Sequence, residues 1–254
     1  MQLASIVSER FGFKIPFGYV RMMEAGLLAS TRSGELARGD SKRKPTTSSK
    51  NRATVQSRVR ALAASDLSWL TTDEIAVRIE RHGGRASWRP RWPADFVFIP
   101  FAERASGGQW GWAPSLGEPG ASEPPVLFIA HDTEDARIVA PTFAAFLFRM
   151  TLESLAQCAH DPKEMSLAER VGMLRGSARA VLDFLPAELS ARLDRVLELP
   201  IRKVTVRTLR EKNGKFFRTS NATHLSLVGT DWAARIVREE LEDPRLDQPL
   251  RIDV

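Results

Sequence analysis

The four histidines and the single cysteine are the side chains best suited to metal binding or nucleophilic catalysis. The histidines are His82, His131, His160 and His224, and none has the HxH, HExxH or CxxC-type spacing that brings metal ligands together. His131 precedes Asp132, as in metal-dependent phosphohydrolases, but the pair falls between two predicted strands, where aspartate commonly bonds the turn backbone. We therefore predict a turn here, with no metal site and no cofactor; the alternative, a hydrolase at this pair, would need a bound metal.

Two other patterns typical of enzymes are incomplete. Ser106, Gly107 and Gly108 lack the Lys-Ser/Thr of a phosphate-binding loop and the third glycine of a dinucleotide fingerprint, and they favour a plain hairpin turn. Cys158 lies on an apolar helical pattern with only His160 nearby, which is typical of a buried cysteine. The sequence therefore predicts no catalytic residue, and it favours a protein that acts by binding a partner.

Four of the six tryptophans fall between residues 88 and 112. Aromatic side chains bury about 150–250 Å² each in protein cores, but tryptophan and arginine are also enriched at the centres of interfaces. Trp110 and Trp112 alternate along a predicted strand and share one face, which favours core packing. Trp88 and Trp92 lie among arginines, so core and interface both stay open. We count these two, with Gln109 beside the glycine turn, as candidate partner contacts.

The positive charge of the chain is concentrated in one segment. Residues 38–60 carry eight basic side chains and one acidic one, a net charge of +7 against +6 for the whole chain, so the remainder is close to neutral. A nucleic-acid groove needs basic groups spread over a folded face, and we do not expect direct nucleic-acid binding. The alternative is a nucleic-acid-associated adaptor that uses this basic arm, with Lys42, Arg43, Lys44, Lys50 and Arg52.

The composition is that of an ordinary globular protein. The chain has 254 residues, 43% of them hydrophobic and 27% charged, which is enough for a sizeable core. No apolar run approaches the roughly 18 residues of a membrane span, and the N-terminus lacks the signal-peptide pattern. A single cysteine excludes an internal disulfide and fits a reducing compartment. We expect a soluble, cytoplasmic protein without membrane contact.

The elements that position these residues indicate an α+β fold, an antiparallel, mostly meander sheet flanked by helices. Pro16 suits a helix start, and residues 31–60 read as a basic, disordered insertion. Thr71 and Glu74 form a capping box that opens a helix ending near His82. Predicted strands cover 95–101, 109–112, 126–130 and 136–140, and Pro141 opens an apolar helix.

The C-terminal part, residues 159–254, is predicted to be a helical and β-hairpin extension of a first domain, residues 1–158. Whether it folds independently is left open. Its signals are a Ser166/Glu169 cap before a helix over 167–176, leucine stripes from Leu182 to Leu197, an Asn213-Gly214 hairpin turn, a helix over 232–241 capped by Asp231, and an extended tail from Pro244.

Four stretches together resemble the SUKH superfamily, which comprises bacterial immunity proteins of polymorphic toxin systems and related fungal cell-wall regulators. The resemblance covers roughly residues 8–157. Its residues are 12–19 (GFKIPFGY), 67–75 (LSWLTTDEI), 98–102 with 107–112 (FIPFA, GGQWGW), and 140–147 (APTFAAFL).

The resemblance implies a non-enzymatic protein that binds and neutralises a cognate toxin domain, often of the nuclease type. Such a protein often presents acids that mimic phosphate, and the candidates are Glu118, Glu123, Asp132, Glu134 and Asp135. The chain departs from the pattern at the strand turn, where the family often carries an acid after the glycines and this sequence has Gln109.

Overall fold

The computed structural model describes most of the chain outside the basic arm. The insertion predicted at 31–60 and the domain boundary predicted at 158/159 both lie outside the described residues, and the boundary stays a prediction. The structure describes residues 3–28, 62, 67–82, 93, 95–104, 107–118, 121–131, 136–156, 167–212 and 215–250, with the backbone alone at 82, 167–170, 173 and 203–225.

The described residues form seven α-helices and seven β-strands. In chain order these are α1 (Leu3–Phe11), α2 (Phe17–Glu24), β1 (Leu67–Trp69), α3 (Thr72–His82), β2 (Ile99–Arg104), β3 (Gln109–Trp112), β4 (Val126–Ile129), β5 (Ala136–Ala140), α4 (Phe143–Ala156), α5 (Leu167–Leu182), α6 (Ala187–Leu197), β6 (Arg202–Lys212), β7 (Lys215–Ser226) and α7 (Thr230–Leu241).

Strands β1 to β5 form an antiparallel meander in sequence order, which confirms the predicted α+β class. The sheet has one strand more than expected, because the three-residue β1 pairs with β2 at the edge. Leu67 and Trp69 are buried there and Ser68 is only half-buried, an alternation too short to be recognised as a strand. The strand predicted at 95–101 begins later, at Ile99, because Phe96 is held in a turn by its N–H bond to the Pro93 carbonyl.

Helix α4 lies at the centre of the molecule. The predicted apolar face, which includes Phe143, Phe146 and Leu147, is fully buried, but so are Phe148 and Leu152 outside that face. The helix is buried all round because it packs on β5 and α2 and also on α5, α6 and α7. Even so, none of the described helices combines the length and the apolarity needed to cross a membrane.

The helix ends follow local chemistry. The capping box is confirmed at the start of α3: the Glu74 carboxylate accepts from the Thr71 N–H at 2.7 Å, and the Thr71 hydroxyl accepts from the Glu74 N–H. Helix α2 follows Pro16 and ends at Glu24, two residues before Gly26, whose φ of +69° glycine adopts most easily. Helix α7 differs from expectation: it begins at Thr230 after Gly229 and has no side-chain cap, so Asp231 lies in its first turn.

The C-terminal residues extend the fold in two directions. Strands β6 and β7 form a separate two-stranded antiparallel sheet, and they close with Lys212 paired to Lys215. That spacing fits the predicted two-residue turn, whose residues 213–214 lie outside the described part. The tail after α7 returns to the main sheet, where Leu246 and Pro249 bridge to β5.

Candidate partner-binding surface

The tryptophan pair lies in an aromatic core beneath the sheet. Trp110 and Trp112 are 5% and 0% exposed, which confirms the core interpretation. Burial also raises the pKa of the Tyr19 hydroxyl well above its usual range. The aromatic core contains Tyr19, Trp69, Phe101, Trp112, Phe143 and Phe146, with ring centroids 4.7 Å apart for Phe101 and Trp112 and 5.0 Å apart for Tyr19 and Trp112.

Gln109 is buried in the β2–β3 hairpin. Its side chain is 3% exposed, and its amide donates a 2.7 Å hydrogen bond to the Glu103 carboxylate. Glu103 lies directly opposite on β2 and also forms an ion pair with Arg78 of α3 at 2.5 Å. Gln109 therefore ties the hairpin to itself, and in the described structure its side chain does not reach a surface that a partner could contact.

The two described acidic candidates differ in availability. Glu118 is 74% exposed and lies 3.6 Å from the Arg245 guanidinium, so it is open to a partner. The Glu123 carboxylate accepts a hydrogen bond from the Phe143 N–H at 3.1 Å, at the start of α4. Burial raises the pKa of Glu123, although the Phe143 hydrogen bond acts in the opposite direction. Glu123 therefore caps a core helix.

The remaining predicted contacts lie outside the described residues. They are Trp88, Trp92, Asp132, Glu134, Asp135 and the basic arm with Lys42, Arg43, Lys44, Lys50 and Arg52.

The glycine turn and His131 meet at one end of the sheet. The Gly107 N–H bonds the Arg104 carbonyl at 2.8 Å, and the Arg104 N–H bonds the Gly108 carbonyl, as a hairpin turn requires. Gly107 has a φ of +90°, and a Cβ there would lie 3.0 Å from the His131 ring. Within the described residues, no three His, Cys, Asp or Glu side chains are grouped to hold a metal ion.

An exposed aromatic and arginine surface, formed by Phe17, Arg21 and Phe184, lies where α2 meets the α5–α6 connection. Phe17 is 73% exposed, the most of any large apolar side chain in the described part of the chain. The Arg21 guanidinium carbon lies 5.7 Å from the Phe17 ring centroid and 5.2 Å from that of Phe184. The Arg21 guanidinium donates a hydrogen bond to the Asp183 carbonyl at 3.3 Å. We call these three residues the Phe17 surface.

The Phe17 surface has the chemistry of a binding centre. Two rings hold the guanidinium in place, so less side-chain entropy is lost when it binds. Among the described residues no carboxylate forms a salt bridge with Arg21, so its cationic fork is available to one from outside. The surface can therefore bind a partner that offers an apolar side chain beside a carboxylate.

Half of this surface had a signal in the sequence. In a helix beginning after Pro16, Tyr19 and Met22 share the buried side, and Phe17 and Arg21 are spaced i, i+4 on another side. Phe184 comes from a distant part of the chain, and no local pattern could place it beside Arg21.

A pocket of about 460 Å³ lies between α4, α7 and the C-terminal tail. In this pocket the Arg149 guanidinium donates hydrogen bonds to the Glu153 carboxylate at 2.8 Å, the Asp247 carboxylate at 2.9 Å and the Val139 carbonyl at 3.0 Å. Burial would lower the pKa of Arg149, but the two carboxylates outweigh it and raise that pKa. The charges of this pocket compensate one another, so the Phe17 surface is the better candidate.

Comparison of the chain with protein-family models, with curated proteins and with solved structures found no significant match. The functional argument therefore rests on the residues of this chain and their geometry.

Proposed function

We propose that this chain is a non-enzymatic, cytoplasmic immunity protein that binds and neutralises a cognate toxin domain, of the nuclease type, from a polymorphic toxin system. The toxin class comes from the resemblance of residues 12–19, 67–75, 98–102 with 107–112, and 140–147 to the SUKH superfamily. The α+β meander flanked by helices is the architecture that this resemblance implies.

The Phe17 surface carries the proposal. Phe17 is 73% exposed, and a side chain of this size contributes on the order of 2 kcal/mol when it is covered at the centre of an interface. Arg21 adds a cation whose bidentate hydrogen bonds fix the orientation of a partner carboxylate. Both are supplied by α2, a helix anchored in the core by Tyr19 and Met22, so the surface is presented on a rigid support.

Co-expression tests the function. The toxin domain encoded beside this chain is expressed with wild-type protein, with Phe17→Ala/Arg21→Ala, or with Val77→Ala, a matched control at the other exposed large apolar residue of the described chain. We expect wild type and Val77→Ala to restore growth and to co-purify with the toxin, and the double variant to bind at least tenfold more weakly. The function is wrong if wild-type protein neither restores growth nor forms a complex. If wild type protects and the double variant protects equally, the function stands and the surface is wrong.

The alternative, a nucleic-acid-associated adaptor using the basic arm, stays a prediction, because residues 38–60 lie outside the described part of the chain.

A further inference from the structure

Strands β6 and β7 form a long antiparallel ribbon that stands apart from the main sheet. The ribbon pairs continuously from Arg202 opposite Ser226 to Lys212 opposite Lys215, with one irregularity after Thr208. Its strands have 11 and 12 residues, whereas the longest strand of the main sheet has six. At about 3.4 Å per residue the ribbon is roughly 35 Å long. The two strands pack mainly on each other, with no extensive contact to another described element.

The ribbon is strongly basic. Residues 202–226 contain seven basic side chains and one acidic one, Glu211, a net charge of +6. The net charge of the whole chain does not reveal this, because the residues outside the ribbon and the basic arm together carry a net negative charge. An isolated two-stranded ribbon is at best marginally stable, so a net charge of +6 on it calls for a physical reason.

The register places no acid opposite any of the cations of the ribbon. Opposite charges at facing positions stabilise antiparallel pairs by about 0.2–1 kcal/mol, yet no facing pair here joins a base to an acid. Lys212 faces Lys215, a like-charged pair that is destabilising, and Glu211 lies only diagonally across from Arg218. The facing partners of the other cations are Ser226 for Arg202, Leu225 for Lys203, Asn221 for Arg207, Phe217 for Arg210, and Leu209 for Arg218.

The spacing of these cations fits a nucleic-acid duplex. Five of the seven fall in the half of the ribbon nearest its closing turn, Arg210, Lys212 and Lys215 at register positions of one face and Arg207 and Arg218 at positions of the other. That half covers five steps along β6, or roughly 17 Å. A DNA duplex presents one phosphate per 3.4 Å on each strand, hence about five phosphates over that length. A two-stranded ribbon is also an element that the major groove admits.

Two aromatic residues distinguish a nucleic-acid partner from an acidic protein. Phe216 and Phe217 are adjacent on β7 and therefore belong to opposite faces, and Phe217 faces Arg210 on the face that also carries Lys212 and Lys215. Aromatic residues among cations suit base stacking or insertion between base steps, for which an acidic protein surface offers no counterpart. We propose that the β6–β7 ribbon binds duplex nucleic acid through its phosphate backbone, a second activity beyond the toxin-neutralising function and one that the charge balance of the whole chain did not lead us to expect.

Fluorescence anisotropy with a labelled 30-base-pair DNA duplex tests this in the full-length chain between about 50 and 200 mM NaCl. The ribbon variant is Arg210→Gln/Lys212→Gln/Lys215→Gln/Arg218→Gln. Its matched control removes the same charge from exposed arginines on four helices, by Arg10→Gln/Arg81→Gln/Arg195→Gln/Arg235→Gln. Since each phosphate contact contributes about 0.9 to the slope of log affinity against log salt, the ribbon variant should lose up to about 3.5 of that slope. At 50 mM its affinity should fall more than tenfold, against less than threefold for the control.

A milder variant separates binding from folding. Lys212→Gln/Lys215→Gln removes the like-charged facing pair, so its melting temperature should equal or exceed that of wild type, while its affinity for the duplex falls several-fold. If the melting temperature and the affinity for the duplex both fell, the loss of binding would follow from a structural defect, and that result would contradict the proposal.

Several outcomes would overturn the assignment. These are no wild-type binding at 50 mM salt, equal affinity for the ribbon variant and its control, or competition by polyglutamate as effective as that by unlabelled duplex. The basic arm, and not the ribbon, would be the binding site if binding were lost only in the variant Lys42→Gln/Arg43→Gln/Lys44→Gln/Arg52→Gln. Tighter binding to a single-stranded 30-mer than to the duplex would contradict the fit to duplex geometry.

Discussion

At the scale of single residues, Glu103 is a nearly buried carboxylate that joins three elements. It is 9% exposed, accepts from the Gln109 amide at 2.7 Å and pairs with Arg78 of α3 at 2.5 Å. A buried charge is tolerated only when it is paired and hydrogen-bonded. The acid of the β2–β3 hairpin is Glu103, and the residue that faces it, Gln109, is neutral. The pair Glu103 and Gln109 thus carries one negative charge.

Replacing Gln109 with glutamate should place two carboxylates within hydrogen-bonding distance in a nearly buried site. We expect Gln109→Glu to lower the free energy of unfolding by about 1–3 kcal/mol, because like charges at close range repel and a donor is lost. The exchange Glu103→Gln/Gln109→Glu restores one acid and one amide, so it should recover the part of that loss due to repulsion but not the ion pair of Glu103 with Arg78. Urea denaturation of the two single variants and the double variant measures the coupling. Additive losses in the double variant would show that the two side chains do not interact.

The residue-scale features that sequence could predict are the local ones. The Thr71/Glu74 capping box depends on residues three apart, and the burial of Trp110 and Trp112 follows from alternation in one strand. The ion pair of Arg78 with Glu103 needs α3 to pack on β2, and neither residue has a neighbour in sequence that signals it. Predictions at this scale fail where the partner lies elsewhere in the fold.

At the scale of elements, the C-terminal tail covers the open edge of the meander. Strand β5 is the last in the sheet, and its outer side accepts hydrogen bonds from the tail, Asp247 N–H to Ile138 at 3.0 Å and Leu250 N–H to Ala136 at 2.8 Å. Asp247 also bonds Arg149 of α4. The sequence predicted only that the tail is extended, because isolated β-bridges leave no periodic pattern of residue types. The position of the ribbon was likewise predicted but its length was not, because an Asn-Gly turn indicates where the centre of a hairpin lies and not where its strands end.

Deleting residues 244–254 should expose the edge of β5 and remove one carboxylate from Arg149. We expect the truncated chain to lose about 2–4 kcal/mol of unfolding free energy and to associate through the uncovered strand, since open edges pair with other chains. Urea denaturation and sedimentation velocity measure the two effects. The matched control is Asp247→Asn, which keeps the tail and weakens only the ion pair, so it should stay monodisperse. A truncated chain that is as stable and monodisperse as the control would show that the tail does not protect the edge.

At the scale of the whole molecule, the hydrophobic core continues from the sheet through α4 into the C-terminal helices. Leu155 of α4, Val196 of α6 and Val237 of α7 belong to one buried cluster. The Ser226 hydroxyl, at the end of β7, donates to the Leu155 carbonyl at 2.8 Å. A division between 1–158 and 159–254 follows the change in sequence character, but the packing of α4 crosses it. Sequence patterns could identify each helix as amphipathic but not that the helices bury the far side of α4.

This continuity predicts that the chain unfolds as one unit and that residues 1–158 do not fold alone. The fragment would uncover the side of α4 that packs on α5, α6 and α7, so we expect it to aggregate or to bind a hydrophobic dye without a sharp melting transition. In the full chain, urea midpoints should coincide for tryptophan fluorescence, dominated by the sheet, and for far-UV circular dichroism, to which the C-terminal helices contribute. A mixture of fragments 1–158 and 159–254 serves as the control, and adding the second fragment should restore a cooperative transition. Two separate midpoints in the full chain, or a sharply melting 1–158 fragment, would instead mean that the extension is a domain of its own and that the aromatic core folds without it.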